Sequence, residues 1–343
     1  MTITRDFLHA LPKTDLHCHL DGSIRVKTAM ELAKANGLTL PSNNENEVYD
    51  FLSVKGQVEN LNEYIDKFDF TLKLMQDYES LRRIAYELAE DAAAENLRYI
   101  EVRYSPILHQ QKGLSLEQVV DAVLEGLGEA EKKFPIRTAV IICAIRSMTP
   151  EATLRLAELT LQYKGKGVVA FDLAGREFGN PAKDHAKAFY FIRKHCINCT
   201  VHAGEAYGPD SIYQAIHACG AHRIGHGTRL IEDEELLNYV CDHRIPLEVC
   251  LISNVQTKAV LRIEHHPFKK FLDRQLRVTL NTDNRLISRT TMTDELWLAV
   301  QTWELNYEQV KKIILNGFKS LFIPFAEKTK IYHEAKAELT KYD

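Results

Sequence analysis

The sequence predicts an α/β fold, a (β/α)8 TIM barrel with extra helices between its first two strands and a helical C-terminal tail. Eight short runs rich in apolar and β-branched residues recur along the 343 residues. Most are continuously apolar rather than alternating, as expected of strands buried on both faces of a parallel sheet. Helical patterns separate the runs, and no Pro/Gly/Ser-rich linker interrupts them, so residues 1–343 read as one domain.

The strand candidates are 13–20, 97–106, 137–145, 167–175, 198–205, 223–228, 246–254 and 277–284. Between the first two lies a stretch, 25–96, far too long for one crossover helix. It reads as helices at 25–36, part of 44–55, 61–75 and 78–95. An insertion at the C-terminal face of a barrel strand is where an active-site cover belongs. Leu61, Tyr64, Ile65 and Phe68 form a helical apolar face by their i, i+3, i+4, i+7 spacing. Further along, 149–163 opens with Thr149 as N-cap and Pro150 at the first helical position. The segment 233–243 concentrates acids in its first turn, and the tail after 284 reads as mostly helical.

Composition narrows the function classes. The apolar fraction of 45% suits a globular chain with a sizeable core. Forty-three basic against 47 acidic residues leave a formal charge of −4, which gives no footing for nucleic acid or a membrane surface. No stretch approaches the ~18–20 apolar residues of a span, and MTITRDFLHALPKTD lacks a secretory apolar core. The seven cysteines are odd in number and scattered, as in a reducing, cytoplasmic setting. Cys196 and Cys199 form a lone CxxC, read as structural residues closing a helix and opening a strand.

The chemistry concentrates at strand ends. His17, His19, His202, His226 and Asp283 each close an apolar run, in KTDLHCH, NCTVHAGE, RIGHGT and RVTLNTD. Barrel enzymes place catalytic groups at the C-terminal ends of strands. His17 and His19, two apart, share one strand face, with Cys18 pointing away. Barrel closure sets the eighth strand beside the first, so Asp283 can join them. Imidazole and carboxylate with open water access suit Zn²⁺, one per chain, and also admit Fe²⁺, Co²⁺ or Mn²⁺. Glu205 stands three residues after His202, a neutral acid able to protonate a ring nitrogen if burial raises its pKa. His226, flanked by Gly225 and Gly227, is a ligand, a base or a charged group steadying hydroxide. His222 belongs at the opposite barrel end.

With these residues in place, the chain resembles the adenosine deaminase family, bacterial branch. The likeness rests on seven blocks in order over nearly the whole length: PKTDLHCHLDGSI, EVRYSP, FDLAGRE, VHAGE, HRIGHGT, SNVQT and LNTDN. The resemblance implies that His17, His19, His202 and Asp283 bind zinc, Glu205 protonates purine N1, and His226 assists the hydroxide attacking C6. It also implies that Asp21 contacts the ribose, that the Gly175 N–H contacts N3, and that the 61–68 helix gates the pocket. The reaction partners implied are a purine nucleoside and water, with no nucleic acid and no membrane, and with room for a homo-oligomer.

The chain departs from the family's paired aspartates by carrying Asp283-Asn284. An Asn NH2 donates to purine N7 without titrating, whereas an Asp must be protonated first. Weaker pH dependence of purine binding is expected. The implied reaction is deamination of adenosine and 2′-deoxyadenosine in purine salvage. The alternatives are a deaminase of a 5′-modified adenosine such as aminodeoxyfutalosine and a non-catalytic nucleoside-binding protein. The cytidine-deaminase signature, H-x-E with P-C-x-x-C, is absent.

Overall fold

In the computed structural model, which describes residues 2–343, eight parallel strands stand in sequence order and close into a (β/α)8 barrel. They are β1 Lys13–His19, β2 Leu97–Tyr104, β3 Arg137–Ile145, β4 Val168–Ala174, β5 Asn198–Ala203, β6 Arg223–His226, β7 Leu247–Val249 and β8 Val278–Leu280. Closure between β8 and β1 is made just beyond β8. The His19 N–H donates to the Asp283 carbonyl at 2.7 Å, and the Asp283 N–H donates to the His17 carbonyl at 2.8 Å. Asp283 therefore sits three residues past β8 rather than ending it, bridged to Cys18 of β1.

All eight strand positions match the sequence reading, and the last strands are shorter than expected. The run 246–254 divides into β7 and a helix, Leu251–Gln256. An apolar run of this length does not by itself separate strand from helix. The deciding contact is remote: the buried Glu295 carboxylate accepts the Leu251 and Ile252 N–H groups at 2.9 and 3.4 Å and caps the new helix.

The insertion folds into Val26–Ala35, Glu45–Leu52, Leu61–Ile65, Phe68–Leu74 and Tyr78–Ala94. The expected helix 61–75 is thus two helices. Its break is a tightened turn, in which the N–H groups of Lys67 and Asp69 donate to the carbonyls three residues back. The tail forms Met292–Trp303, Tyr307–Lys319 and Phe325–Leu339. Between its last two helices the Phe322 N–H donates to Glu101 at 2.8 Å, and the Phe322 ring lies 3.6 Å from the Arg223 guanidinium carbon. The tail therefore plugs the barrel floor.

The barrel interior below the strand ends is ionic, and each arginine there is paired with two carboxylates. Arg103 donates to Asp172 and to Glu248, both at 2.9 Å. Arg223 donates to Glu248 at 2.5 Å and also pairs with Glu101. Among the described residues, no helix is long and apolar enough to cross a membrane.

Candidate metal centre and nucleoside pocket

The site is built where β1, β5 and β6 end and the β8 segment returns. His17 and His19 come from β1, His202 from β5 and His226 from β6. Register places His202 beside Gly225. A Cβ on Gly225 would lie 3.1 Å from both the His17 ring and the His202 Cα, so any larger side chain there would press on both histidines. His226 and Asp283 adopt left-handed backbone, φ +61° and +59°. Such φ values in non-glycine residues are uncommon and cluster at functional sites.

The donor atoms of His17, His202, His226 and Asp283 lie within 4.8 Å of one another. His19 Nε2 is 3.4 Å from Asp283 Oδ1 and 3.1 Å from His202 Nε2. The hydrogen bonds behind the rings fix which nitrogen carries each lone pair. His17 Nδ1 donates to Glu248 at 2.9 Å, and His202 Nδ1 donates to Asp172 at 3.2 Å. In the neutral rings both Nε2 atoms are therefore proton-free and point inward. His17 Nε2 is buried without a hydrogen bond, 3.4 Å from Asp283 Oδ1. Inward lone pairs beside a carboxylate repel one another unless a cation lies between them. The donor set fits a divalent metal.

Glu205 lies next to this cluster, 6% exposed. Burial, reinforced by the negative charges of Asp283 and Glu177, holds its carboxyl well above the usual range. Thr257 donates to Glu205 Oε1 at 3.2 Å, and His226 Nε2 stands 3.5 Å from Oε2. Burial also keeps His226 well below the usual imidazole pKa, with His17 adding to the effect.

The cluster opens into a cavity of about 280 Å³. Its wall includes all four residues of the expected lid face, Leu61, Tyr64, Ile65 and Phe68, as well as Asp21, Gly175 and Asn284. Asp21 Oδ1 is buried and unpartnered, and burial pushes the Asp21 carboxyl up to about 7. Asn284 Nδ2 donates to the Tyr64 hydroxyl at 3.0 Å, which in turn lies 2.5 Å from Ser288 Oγ. One Asn284 amide hydrogen is thus tied to Tyr64, and the Asn284 side chain lines the cavity. His222 is remote, at the start of β6, accepting the Cys199 N–H at 3.0 Å. Cys196 and Cys199 are free thiols at a helix end and a strand start.

A match to the adenosine deaminase family model spans residues 12–338. The chain belongs to the adenosine deaminase family. It is 39% identical over 327 residues to an adenosine deaminase of Clostridium kluyveri, covering 95% of this chain and 94% of that one. It is 41% identical over 333 residues to a probable adenosine deaminase of Dictyostelium discoideum, covering 97% of this chain but 43% of that longer protein. Among solved structures, the N6-methyl-AMP deaminase of Arabidopsis thaliana superposes with a TM-score of 0.85 at 28% identity, over 98% of this chain and 100% of that one. Membership makes the protein an aminohydrolase, with the cluster at the strand ends as its candidate metal centre.

Several members of this family site escaped the sequence reading. Glu177, in the FDLAGRE block, accepts the N–H groups of Gly204, Glu205, Ala206 and Tyr207 at 2.6–3.0 Å and so clamps the loop that carries Glu205. Ser253 donates to Asp283 Oδ2 at 2.5 Å. Asp172 and Glu248 orient the two histidines. The signal available was the blocks themselves: FDLAGRE and SNVQT contain Asp172, Glu177, Ser253 and Thr257, to which spacing alone assigns no partner.

Proposed function

We propose that this family member is a zinc-dependent adenosine deaminase, converting adenosine and 2′-deoxyadenosine with water into inosine and 2′-deoxyinosine plus ammonia in purine salvage. The observation that carries the substrate assignment is the charge of the pocket. Among the described residues, no lysine or arginine lines the cavity, while Asp21 and Asp69 do. A 5′-phosphate or an acidic 5′ extension would enter unpaired beside carboxylates, an arrangement that costs several kcal/mol in a buried site. A free ribose hydroxyl instead donates to the unpartnered Asp21 oxygen.

In this reading His17, His19, His202 and Asp283 hold the ion. A zinc ion held there would bring the pKa of a water toward ~7 and so supply a nucleophile at neutral pH. Glu205, kept protonated by burial, donates to purine N1 and makes C6 electrophilic. Asn284 donates to N7 and the Gly175 N–H to N3, which sets the ring plane. Ser253 holds Asp283 in one orientation. The face formed by Leu61, Tyr64, Ile65 and Phe68 covers the base and excludes water.

The test compares kcat/KM for adenosine, AMP and N6-methyl-AMP on protein of known zinc content. We expect ~10⁴ M⁻¹s⁻¹ or more for adenosine, with both nucleotides orders of magnitude lower. Preference for either 5′-phosphate overturns the substrate assignment.

A further inference from the structure

We infer that Asn254 and His266 are positioning residues that lock His226 in its Nε2–H tautomer, so that His226 offers the reacting centre a hydrogen-bond donor rather than a metal-binding lone pair. The inference deepens the reading above and rests on it for the identity of the reaction. Its geometry stands on a buried chain of hydrogen bonds that starts at a group with only one role.

The Phe268 backbone N–H can only donate, and it donates to His266 Nδ1 at 3.0 Å. A neutral His266 then carries its proton on Nε2, which lies 3.1 Å from Asn254 Oδ1. Burial pushes His266 down to about 3, so the ring is neutral at working pH. With its oxygen engaged, the Asn254 amide turns its NH2 toward His226 Nδ1, 2.9 Å away. An NH2 group can only donate, so His226 Nδ1 accepts and the ring proton sits on Nε2, toward Glu205. Reversing any link sets two donors against each other inside the protein. Asn254 is fully buried, and His266 and His226 are 3% and 1% exposed, so water cannot relieve such a clash.

The contrast with the neighbouring rings gives the chain its meaning. Carboxylates stand behind His17 and His202, draw their protons to Nδ1 and leave Nε2 free to ligate. An amide NH2 stands behind His226 and produces the opposite tautomer. Five groups in this cluster have the composition of ligands, and the chain withdraws one of them. Its Nε2–H is left to orient the attacking oxygen.

The test is ¹⁵N NMR on the zinc-loaded protein, selectively labelled at histidine, with the His226 signals identified by their loss in His226→Gln. The expected result is a pyrrole-like Nε2 and a pyridine-like Nδ1; the reverse pattern overturns the inference. Asn254→Asp exchanges the donor for an acceptor of the same shape. It should move the His226 proton to Nδ1 and lower kcat by on the order of 10²-fold, the cost of removing one preorganised donor, with KM for adenosine little changed. A reversed tautomer with wild-type kcat overturns the role assigned to the donor. A protein inert toward adenosine that still shows the Nε2–H pattern supports the lock and counts instead against the substrate.

Discussion

The floor and the mouth of this barrel are both buried and both rich in charge, yet they treat polar atoms in opposite ways. On the floor, Arg103 and Arg223 are shared among Asp172, Glu248 and Glu101, and the tail supplies the Phe322 N–H and the Ser320 carbonyl to the same network. At the mouth, His17 Nε2, Asp21 Oδ1 and Asn284 Oδ1 are buried without a partner. Each such atom costs ~1–3 kcal/mol. Glu248 belongs to both regions, because it pairs with the arginines below and orients His17 above. The difference teaches how the site is made. A layer of paired charges, with Arg103 Nε its one unpartnered nitrogen among the described residues, fixes ring tautomers, and the layer above it presents unsatisfied atoms toward the cavity.

Breaking the mouth should affect chemistry, and breaking the floor should affect folding. The largest effect is expected for Glu205→Gln, which keeps the shape and removes the acid. It should cut kcat by ~10²–10⁴-fold with metal content unchanged, read by turnover and metal analysis on one sample. The wild-type pH profile sharpens the same point. Burial first, then Asp283 and Glu177, raise the Glu205 pKa, so it keeps its proton to higher pH than an ordinary carboxyl. Activity that depends on this proton should be lost as pH rises through the raised value, and Glu205→Gln should lack that limb. A smaller effect, on stability, is expected for Arg223→Met. It leaves Glu101 and Glu248 buried without their shared guanidinium and should cost ~3–5 kcal/mol in denaturant unfolding.

The sequence carried the barrel well because a doubly buried strand writes itself as a continuous apolar run, and all eight are found where such runs occur. It also singled out His17, His19, His202, His226, Asp283 and Glu205, which the fold brings together at the barrel mouth, although Asp283 lies past its strand rather than at its end. It did not show where β7 stops, because Glu295, 44 residues from Leu251, decides that. Nor did it show that 61–75 is two helices, since the break contains neither proline nor glycine. The roles of Glu177, Ser253 and Asn254 were hidden for a shared reason. Each acts through a partner distant in sequence, and residue type alone does not say whether a buried carboxylate or amide faces an imidazole, a backbone N–H or water.

The central claim is that His17, His19, His202 and Asp283 at the mouth hold one metal ion in a centre that deaminates adenosine. The most direct measurement titrates zinc into the metal-free protein while following the ultraviolet change as adenosine becomes inosine. Turnover should be negligible at the start, rise in proportion to added zinc and level off at one ion per chain. Full turnover without metal, or a plateau at two ions per chain, would contradict the account.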